Sequence, residues 1–598
     1  MHRRTLLKGM AATLALQPLA GVQLSAKAAG LARRFRPTDA EWPGAASWAE
    51  LKDAVGGNLI PVHAPFAACG PDPKDPTCLD ALKNMRNPFW VGDQPGGTEV
   101  SGWLDAWTPA PSVYAIKARN AADVAAGIDF ARTHNLRLVV KGTGHSYLGT
   151  SNAPDSLLAW TRGMNKVTVH DAFVATGSGD APVPAVSAEA GALWIDLYNA
   201  VTLGAGRYVQ GGGCTDVGVA GLVQGGGFGS FSKGFGTAAA SLLEAEIVTA
   251  DGAVRIANAS SNPDLFWALK GGGGGTFGIV TRFTLRTHEL PKYFGYAGGK
   301  IQAQSDAAYA RLIAQFLGFY RDNLFNPHWG EQVHFDSDNV FEISMVCQGL
   351  DASQANAVWQ SLHDWIKAAP QDYSILSELQ VGAWDSKGWW DVANNPSLIR
   401  DTREGAPPWH GWWQGDQGQV GAFLHGYESL WLPASLLQDD RKAELADAIF
   451  AASRHKQVQF HFNKGIAGAA PEAIAATRET SINPAVVDAF TLVIIADGEA
   501  PVYPGLPGAS VNLKAAKEDA RKIDAAAAEL RKAAPNSGAY VNESNYFNSN
   551  WQQDYWGTNY PRLRAIKSKY DPNGLFFVHH GVGSEDWSAD GFTRVAAH

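Results

Sequence analysis

At 598 residues, with 49 Lys and Arg against 58 Asp and Glu and a formal net charge of −9, the chain has no basic patch of the kind a nucleic-acid partner requires. Its length is ample for a large buried core divided among roughly two to four domains.

The chain opens His2-Arg3-Arg4-Thr5-Leu6-Leu7-Lys8-Gly9, runs through apolar residues from Met10 to Leu19, and reaches small residues around Ser25-Ala26-Lys27-Ala28. Paired arginines before a modest apolar run predict a twin-arginine export signal over residues 1–28, hence a periplasmic or extracellular protein carried across in folded form. That run is too short to span a bilayer, and no other long apolar stretch predicts stable membrane insertion. A Trp- and Pro-rich lead occupies 29–105. In it Cys69 and Cys78 bracket a Pro- and Asp-rich loop, which in an exported chain predicts a local disulfide.

From residue 106 a strand-helix-strand unit is legible. Val113–Ile116 reads as strand, Asn120 caps a helix carrying Val124, Ile128 and Phe130, and Arg137–Val140 resumes as strand. It delivers the loop Lys141-Gly142-Thr143-Gly144-His145-Ser146-Tyr147-Leu148-Gly149. A second strand and helix, Val186–Gly191 and Leu193–Leu197, lead into Gln210-Gly211-Gly212-Gly213-Cys214-Thr215-Asp216-Val217-Gly218, with Gly225-Gly226-Gly227-Phe228-Gly229 close behind. Clustered glycines let several backbone N–H groups converge on an anion such as a pyrophosphate. The usual templates fail on spacing: Tyr147 stands where a dinucleotide fingerprint needs glycine, and no Gly-Lys-Ser/Thr ending marks an ATP loop. A hydrolase elbow fails at Leu148.

Farther on, Leu243–Thr249 and Val254–Ile256 flank an Asp251-Gly252 turn as a hairpin. Asp264–Lys270 precedes five glycines and the strand-like Phe277–Phe283. Past His288 glycine thins out; Asp306 to Tyr320, Leu437 to Arg454 and Val511 to Ala534 read as amphipathic helices. Cys347 sits in an alternating segment that predicts a buried free thiol, pairing with Cys214 being the alternative. Trp384, Trp389, Trp390, Trp409, His410, Trp412, Trp413, Phe423, His425, Tyr427 and Trp431 form an aromatic and polar cluster suited either to stacking on sugars or flat phenolics or to ordinary packing. His579 and His580, adjacent on what reads as extended chain, point to opposite faces, and no zinc-type spacing accompanies them, so no metal is expected.

Three segments together resemble one family. Val139–Tyr147 and Cys214–Gly221 resemble the two flavin-attachment motifs of berberine-bridge-enzyme-like oxidases of the vanillyl-alcohol-oxidase type, and the stretch from Ala539 through Tyr560-Pro561-Arg562 to Pro572 resembles their C-terminal region. The resemblance implies an α+β fold: a two-part PCMH-type FAD-binding domain over 106–288, completed by a C-terminal segment 536–598, around a substrate domain 289–535 with a mixed or antiparallel sheet backed by helices. It implies FAD bonded covalently through His145 and Cys214. The cofactor contacts it implies are Lys141, Gly142, Thr143, Gly144, Ser146, Gly213, Val217, Gly218, Gly221, Gly225, Gly227, Gly229, Ile279, Val280 and Asn542. Tyr540 and Asn542 match the family's Tyr-x-Asn pattern, but Glu543 stands where many members carry a second tyrosine, so either Tyr540 or Glu543 is the expected base. A carboxylate is ionised at neutral pH, whereas tyrosine needs a strongly depressed pKa. Val217 matches the position that governs oxygen access. The expected reaction is hydride transfer from an alcohol, a sugar's anomeric hydroxyl or a phenolic, to flavin, with O2 as acceptor and H2O2 as product. Oxidation of an amine or alkaloid-like metabolite, an FAD dehydrogenase, and a non-catalytic carbohydrate-binding protein are the alternatives.

Overall fold

The computed structural model describes residues 33–595, so the expected export signal lies outside the described residues. Two sheets carry the first half. In the four-stranded one the order is Leu59–Pro61, Tyr114–Lys117, Ser156–Trp160, Arg137–Lys141, parallel except for the antiparallel edge at Leu59–Pro61. The lead segment therefore supplies a strand. The helix Ala121–Thr133 crosses between two of these strands, its first turn closed by the Asn120 side chain accepting from the N–H groups of Ala122 and Asp123. It buries Val124, Ile128 and Ala131 on one stripe.

The second sheet is antiparallel: Val167–Phe173, Val183–Glu189, Ile279–Arg286, Leu242–Val248, Val254–Ala257. The last two strands form the expected hairpin. Fully buried Trp194, Tyr198 and Tyr208 help pack this layer.

A seven-stranded antiparallel sheet forms the third layer, in the order Tyr373–Asp385, Tyr293–Ala303, Val340–Gln348, Trp329–Phe335, Val458–His461, Ala489–Glu499, Phe423–Pro433. The helices Asp306–Phe319, Ala352–Lys367, Lys442–Ser453 and Leu513–Ala533 back it on one face. Ala352–Lys367 shows why: Asp351 and Gln354 form a capping box, and Ala355, Trp359, Leu362 and Ile366 recur every three or four residues and are all buried. Each large apolar side chain so buried contributes about 1.5–3 kcal/mol. The opposite face of the sheet looks toward the glycine loops.

After Ala533 the chain returns to the first sheet. Phe576 bridges to Leu138, and the buried Arg34 guanidinium donates to the carbonyls of Gly591, Gly574 and Leu575. Cys69 and Cys78 are disulfide-bonded; Cys214 and Cys347 are free, which removes the alternative Cys214–Cys347 pairing. No helix among the described residues is long and apolar enough to cross a membrane.

Candidate active site

His145 leaves the end of the strand Arg137–Lys141 through Gly144, which has φ +85°. A Cβ at Gly144 would lie 2.8 Å from the Gly97 carbonyl oxygen and 2.9 Å from Lys141 Cε, so glycine is required there by both conformation and space. Lys141 does not present its ammonium to a ligand. It is buried and donates to the carbonyls of Gln94, Pro95 and Gly97, which fastens the lead segment over the loop. Burial pushes this lysine down to about 7.

Cys214 is held from both sides. Trp413 Nε1 donates to the Gly213 carbonyl at 3.0 Å, and Thr215 Oγ1 donates to the Gly411 carbonyl at 2.7 Å. The loop thus takes its position from a hairpin some two hundred residues away in sequence.

His145 and Cys214 line one cavity of about 1650 Å³ between the glycine loops and the seven-stranded sheet. Single-ligand pockets run to roughly 300–1,000 Å³, so this volume accommodates a dinucleotide and a substrate together. Gly142, Thr143, Gly144, Ser146, Gly213, Val217, Gly218, Gly221 and Val280 line it, as does the run Gly273-Gly274-Gly275-Thr276. A Cβ on Gly221 would meet no protein atom within 4 Å, so that backbone borders free space. Ser151 Oγ, Gln224 Oε1 and Thr276 Oγ1 belong to cavity-lining residues, are buried, and have no protein partner. Open glycine backbone beside unpaired polar atoms fits FAD, whose polar groups would supply partners.

Four of the expected contacts fall elsewhere. Gly225, Gly227, Gly229 and Ile279 do not line the cavity. A Cβ on Gly229 would sit 1.6 Å from the Gly211 carbonyl oxygen, one on Gly227 2.5 Å from Leu222 Cδ2, and one on Gly225 2.2 Å from Asn542 Nδ2. These glycines make room for protein, not for a ligand. Ile279 packs inward against the first sheet.

Carboxyl groups surround His145 and Cys214. His145 Nε2 lies 3.6 Å from Asp216 Oδ2 and 3.9 Å from Glu99 Oε1, which leaves Nδ1 as the ring nitrogen without a carboxyl neighbour. Burial first, then the charges of Asp216 and Asp416, hold the Glu99 carboxyl well above the usual range, so Glu99 is the protonated member. Burial likewise raises Asp216, opposed by the nearby imidazole. Among the described residues, Glu99, His145 and Asp216 are the one group of three whose ligand-type atoms lie within 4.8 Å of one another. Burial, followed by Asp416 and Asp216, pushes the Cys214 thiol up.

On the substrate side, Lys464 Nζ contacts both oxygens of Glu543 at 2.6 Å in an ion pair that faces the cavity. Asn542 Nδ2 donates to Tyr540 Oη at 3.0 Å. Burial, then the Glu543 charge, raises the Tyr540 phenol, which makes it a neutral hydrogen-bonding group. Tyr147 and Tyr427 stack at 5.3 Å. The aromatic cluster divides: Trp412 and Trp431 are core, Trp409 and His410 both bond Asp196, Trp389, Trp413 and the buried Trp390 border the cavity, and Trp384 stands 59% exposed at its rim. His579 and His580 do not point to opposite faces. The backbone turns at His580 (φ +54°), and the two rings stack at 3.9 Å beside the cavity.

Sequence reasoning missed Glu99, Asp416, Glu331 and Lys464. Glu331 takes a left-handed φ of +64° within its strand and accepts from Ser230 Oγ and Asn463 Nδ2. An Asn or Asp is more usual in that conformation, so no sequence cue marked it.

Residues 113–258 match the model for an FAD binding domain, and 539–583 match the model described as berberine and berberine like. Similar sequences include the VAO-type flavoprotein oxidase VAO615 of Thermothelomyces thermophilus, 28% identical over 94% of this chain and 95% of that protein. The FAD-linked oxidoreductase easE of Epichloe festucae var. lolii is 30% identical over 93% of this chain and 91% of its own. Among solved structures, the VAO-type flavoprotein MtVAO615 from Myceliophthora thermophila C1 superposes with a TM-score of 0.76 at 26% identity, covering 94% of this chain and all of that one. The glucooligosaccharide oxidase of Acremonium strictum, described with a 6-S-cysteinyl, 8α-N1-histidyl FAD, shares the fold at a TM-score of 0.61 and 21% identity, over 81% of this chain and 94% of its own.

Proposed function

The chain belongs to the berberine-like family of FAD-linked oxidoreductases, and from that premise we propose that it is an oxidase acting on an alcohol, with FAD bonded to both His145 and Cys214. When bound, FAD supplies a two-electron acceptor that dioxygen can reoxidise. The observation that carries this reading is that His145, Cys214 and the Glu543–Lys464 pair all face one cavity. Glu543 takes the substrate hydroxyl proton as hydride leaves the carbon. Lys464 fixes the carboxylate's direction, and Tyr540, neutral and tied to Asn542, orients the oxygen. Orientation of Nε2 toward Asp216 supports Nδ1 as the ring atom that would carry the histidyl bond. Val217 borders the cavity three residues after Cys214 and sets oxygen access.

Two exposed aromatic residues at the rim, Trp384 and Tyr296 on neighbouring strands, with Gln332, Asn394 and Asn395 also lining the cavity, support a sugar or a flat phenolic alcohol as substrate. Glu331 and Asp416, both in the wall, favour a second reading in which the substrate is an amine. Export through a twin-arginine signal over residues 1–28 belongs to the proposal, and the Cys69–Cys78 disulfide supports an oxidising destination.

Oxygen uptake with saccharides, phenolic alcohols and amines tests the substrate class, and rapid-mixing flavin reduction tests the base. Glu543→Gln is expected to slow reduction about 10²–10⁴-fold. A reduction rate equal to wild type would remove Glu543 from the chemistry.

A further inference from the structure

Asp416 sits in the short 3₁₀ turn Gln414–Gly418, where Gln414, Gly415, Gln417 and Gly418 are all exposed and Asp416 is the half-buried member. It carries its carboxyl into the cavity wall against the Cys214 thiol, and its Oδ2 is buried with no hydrogen-bond partner. Leaving a carboxyl oxygen buried and unpaired opposes folding, and an exposed turn of glutamines and glycines gives no packing reason to hold it there. Nor is the juxtaposition loose. Trp413, three residues before Asp416, donates to the carbonyl of Gly213, and the Gly411 carbonyl accepts from the Thr215 hydroxyl, so the residues on either side of Cys214 are bonded to the hairpin that leads into the aspartate's turn.

A thiol must lose its proton to become a nucleophile, and burial together with the neighbouring carboxyls disfavours the Cys214 thiolate. Its acidic neighbours, Asp416 and Asp216, both disfavour it, and Lys464 is the cation that opposes them. The proton must therefore leave to a base in contact as the sulfur bonds. Burial, followed by the Asp216 charge, pushes the Asp416 carboxyl up to about 7, so at neutral pH it exchanges a proton readily.

We propose that Asp416 is the proton acceptor that arms Cys214 for attachment to the flavin. The inference rests on the covalent reading given above. In the step, the S–H bond of Cys214 and the C6–H bond of the flavin break, an S–C6 bond forms, and the thiol proton passes to Asp416. The two hydrogens, with two electrons, leave on dioxygen as H2O2. One O2 is consumed for each bond made, and Asp416 is returned to its starting state.

The test is peptide mapping of purified, denatured holoprotein treated with iodoacetamide, which modifies Cys214 only if its sulfur is free. In wild type, FAD is expected on both the His145 and Cys214 peptides, with Cys214 protected. Asp416→Asn is expected to keep FAD on His145, itself a check on folding of the cavity, while attachment to Cys214 slows roughly 100-fold and the thiol becomes alkylated. Asp416→Glu, which restores a carboxyl, is expected to restore Cys214 attachment; a merely structural role for the turn would not follow that order. If Asp416→Asn purifies without flavin, Asp416→Ala supplied with FAD and formate replaces it, and formate-dependent protection of Cys214 is the expected result. Flavin on Cys214 in Asp416→Asn to the wild-type extent, or no response to formate, overturns the inference. An alkylated Cys214 in wild type overturns the covalent reading itself and the inference with it.

Discussion

Replacing Asp216 by asparagine in a Cys214→Ala background, where His145 is the remaining proposed attachment point, separates the effects of the two carboxyls beside the imidazole. Bonding through Nδ1 builds positive charge on the ring until the Nε2 proton leaves, and a carboxylate at Nε2 stabilises that charge. At the 3.6 Å separation of Nε2 and Asp216 Oδ2, unit charges attract by about 4–5 kcal/mol at an effective dielectric near 20. Solvent in the cavity and partial protonation of the buried aspartate remove about half, leaving roughly 2 kcal/mol, or ~30-fold in rate. Glu99 lies nearly as close, at 3.9 Å. Because burial and its acidic neighbours keep it protonated, Glu99→Gln exchanges one neutral group for another and is expected to slow attachment less than ~3-fold. The assay is the time course of acid-stable FAD after FAD is added to protein prepared poor in flavin. Equal slowing by the two substitutions, or no slowing by either, refutes the assignment of Asp216 as the charged partner.

Val217→Leu is expected to slow reoxidation of reduced enzyme by oxygen about tenfold or more while leaving reduction by substrate unchanged, as stopped-flow absorbance would report. Gly229→Ala is expected to destabilise or abolish folding, because its Cβ would lie 1.6 Å from the Gly211 carbonyl oxygen, whereas Gly221→Ala, with no protein atom within 4 Å, folds but loses flavin affinity; melting temperature and flavin content distinguish them. Lys141 is pushed down to about 7 from 10.5, so the unfolded chain binds more protons between those values and this group makes stability rise with pH across that window. Lys141→Met is expected to remove up to about 1.4 kcal/mol per pH unit of that rise, read from denaturant unfolding between pH 7.5 and 9.5. Trp384→Ala is expected to raise KM about tenfold with kcat little changed, since its ring stands at the rim, away from His145 and Cys214.

Much of this architecture can be read from local sequence. Asn120 before an apolar stripe, the Asp251-Gly252 turn between two strand segments, and the long helix Leu513–Ala533 are each specified by residues within one element. The two loops carrying His145 and Cys214 are equally legible, because glycine, histidine and cysteine are rare in such a combination. What a glycine is for is not legible. Gly221 borders the cavity and Gly229 makes way for a neighbouring carbonyl, and both look alike in one dimension. Nor are the carboxyls legible: Glu99 comes from the lead, Asp216 from the second loop, and Asp416 from a turn two hundred residues later, so no spacing announces that they meet. His579 and His580 mislead for a local reason, since the left-handed turn at His580 brings together two rings that an extended chain would separate. Lys141 borders the cavity, but where its ammonium goes is set at long range: its partners are carbonyls of the lead segment.

Mass mapping of flavin-bearing peptides from acid-precipitated wild-type protein bears most directly on the cavity as a flavin site gripped at two points. The account predicts a yellow pellet with one FAD joined to both the His145 peptide and the Cys214 peptide. A colourless pellet with both residues unmodified would contradict it.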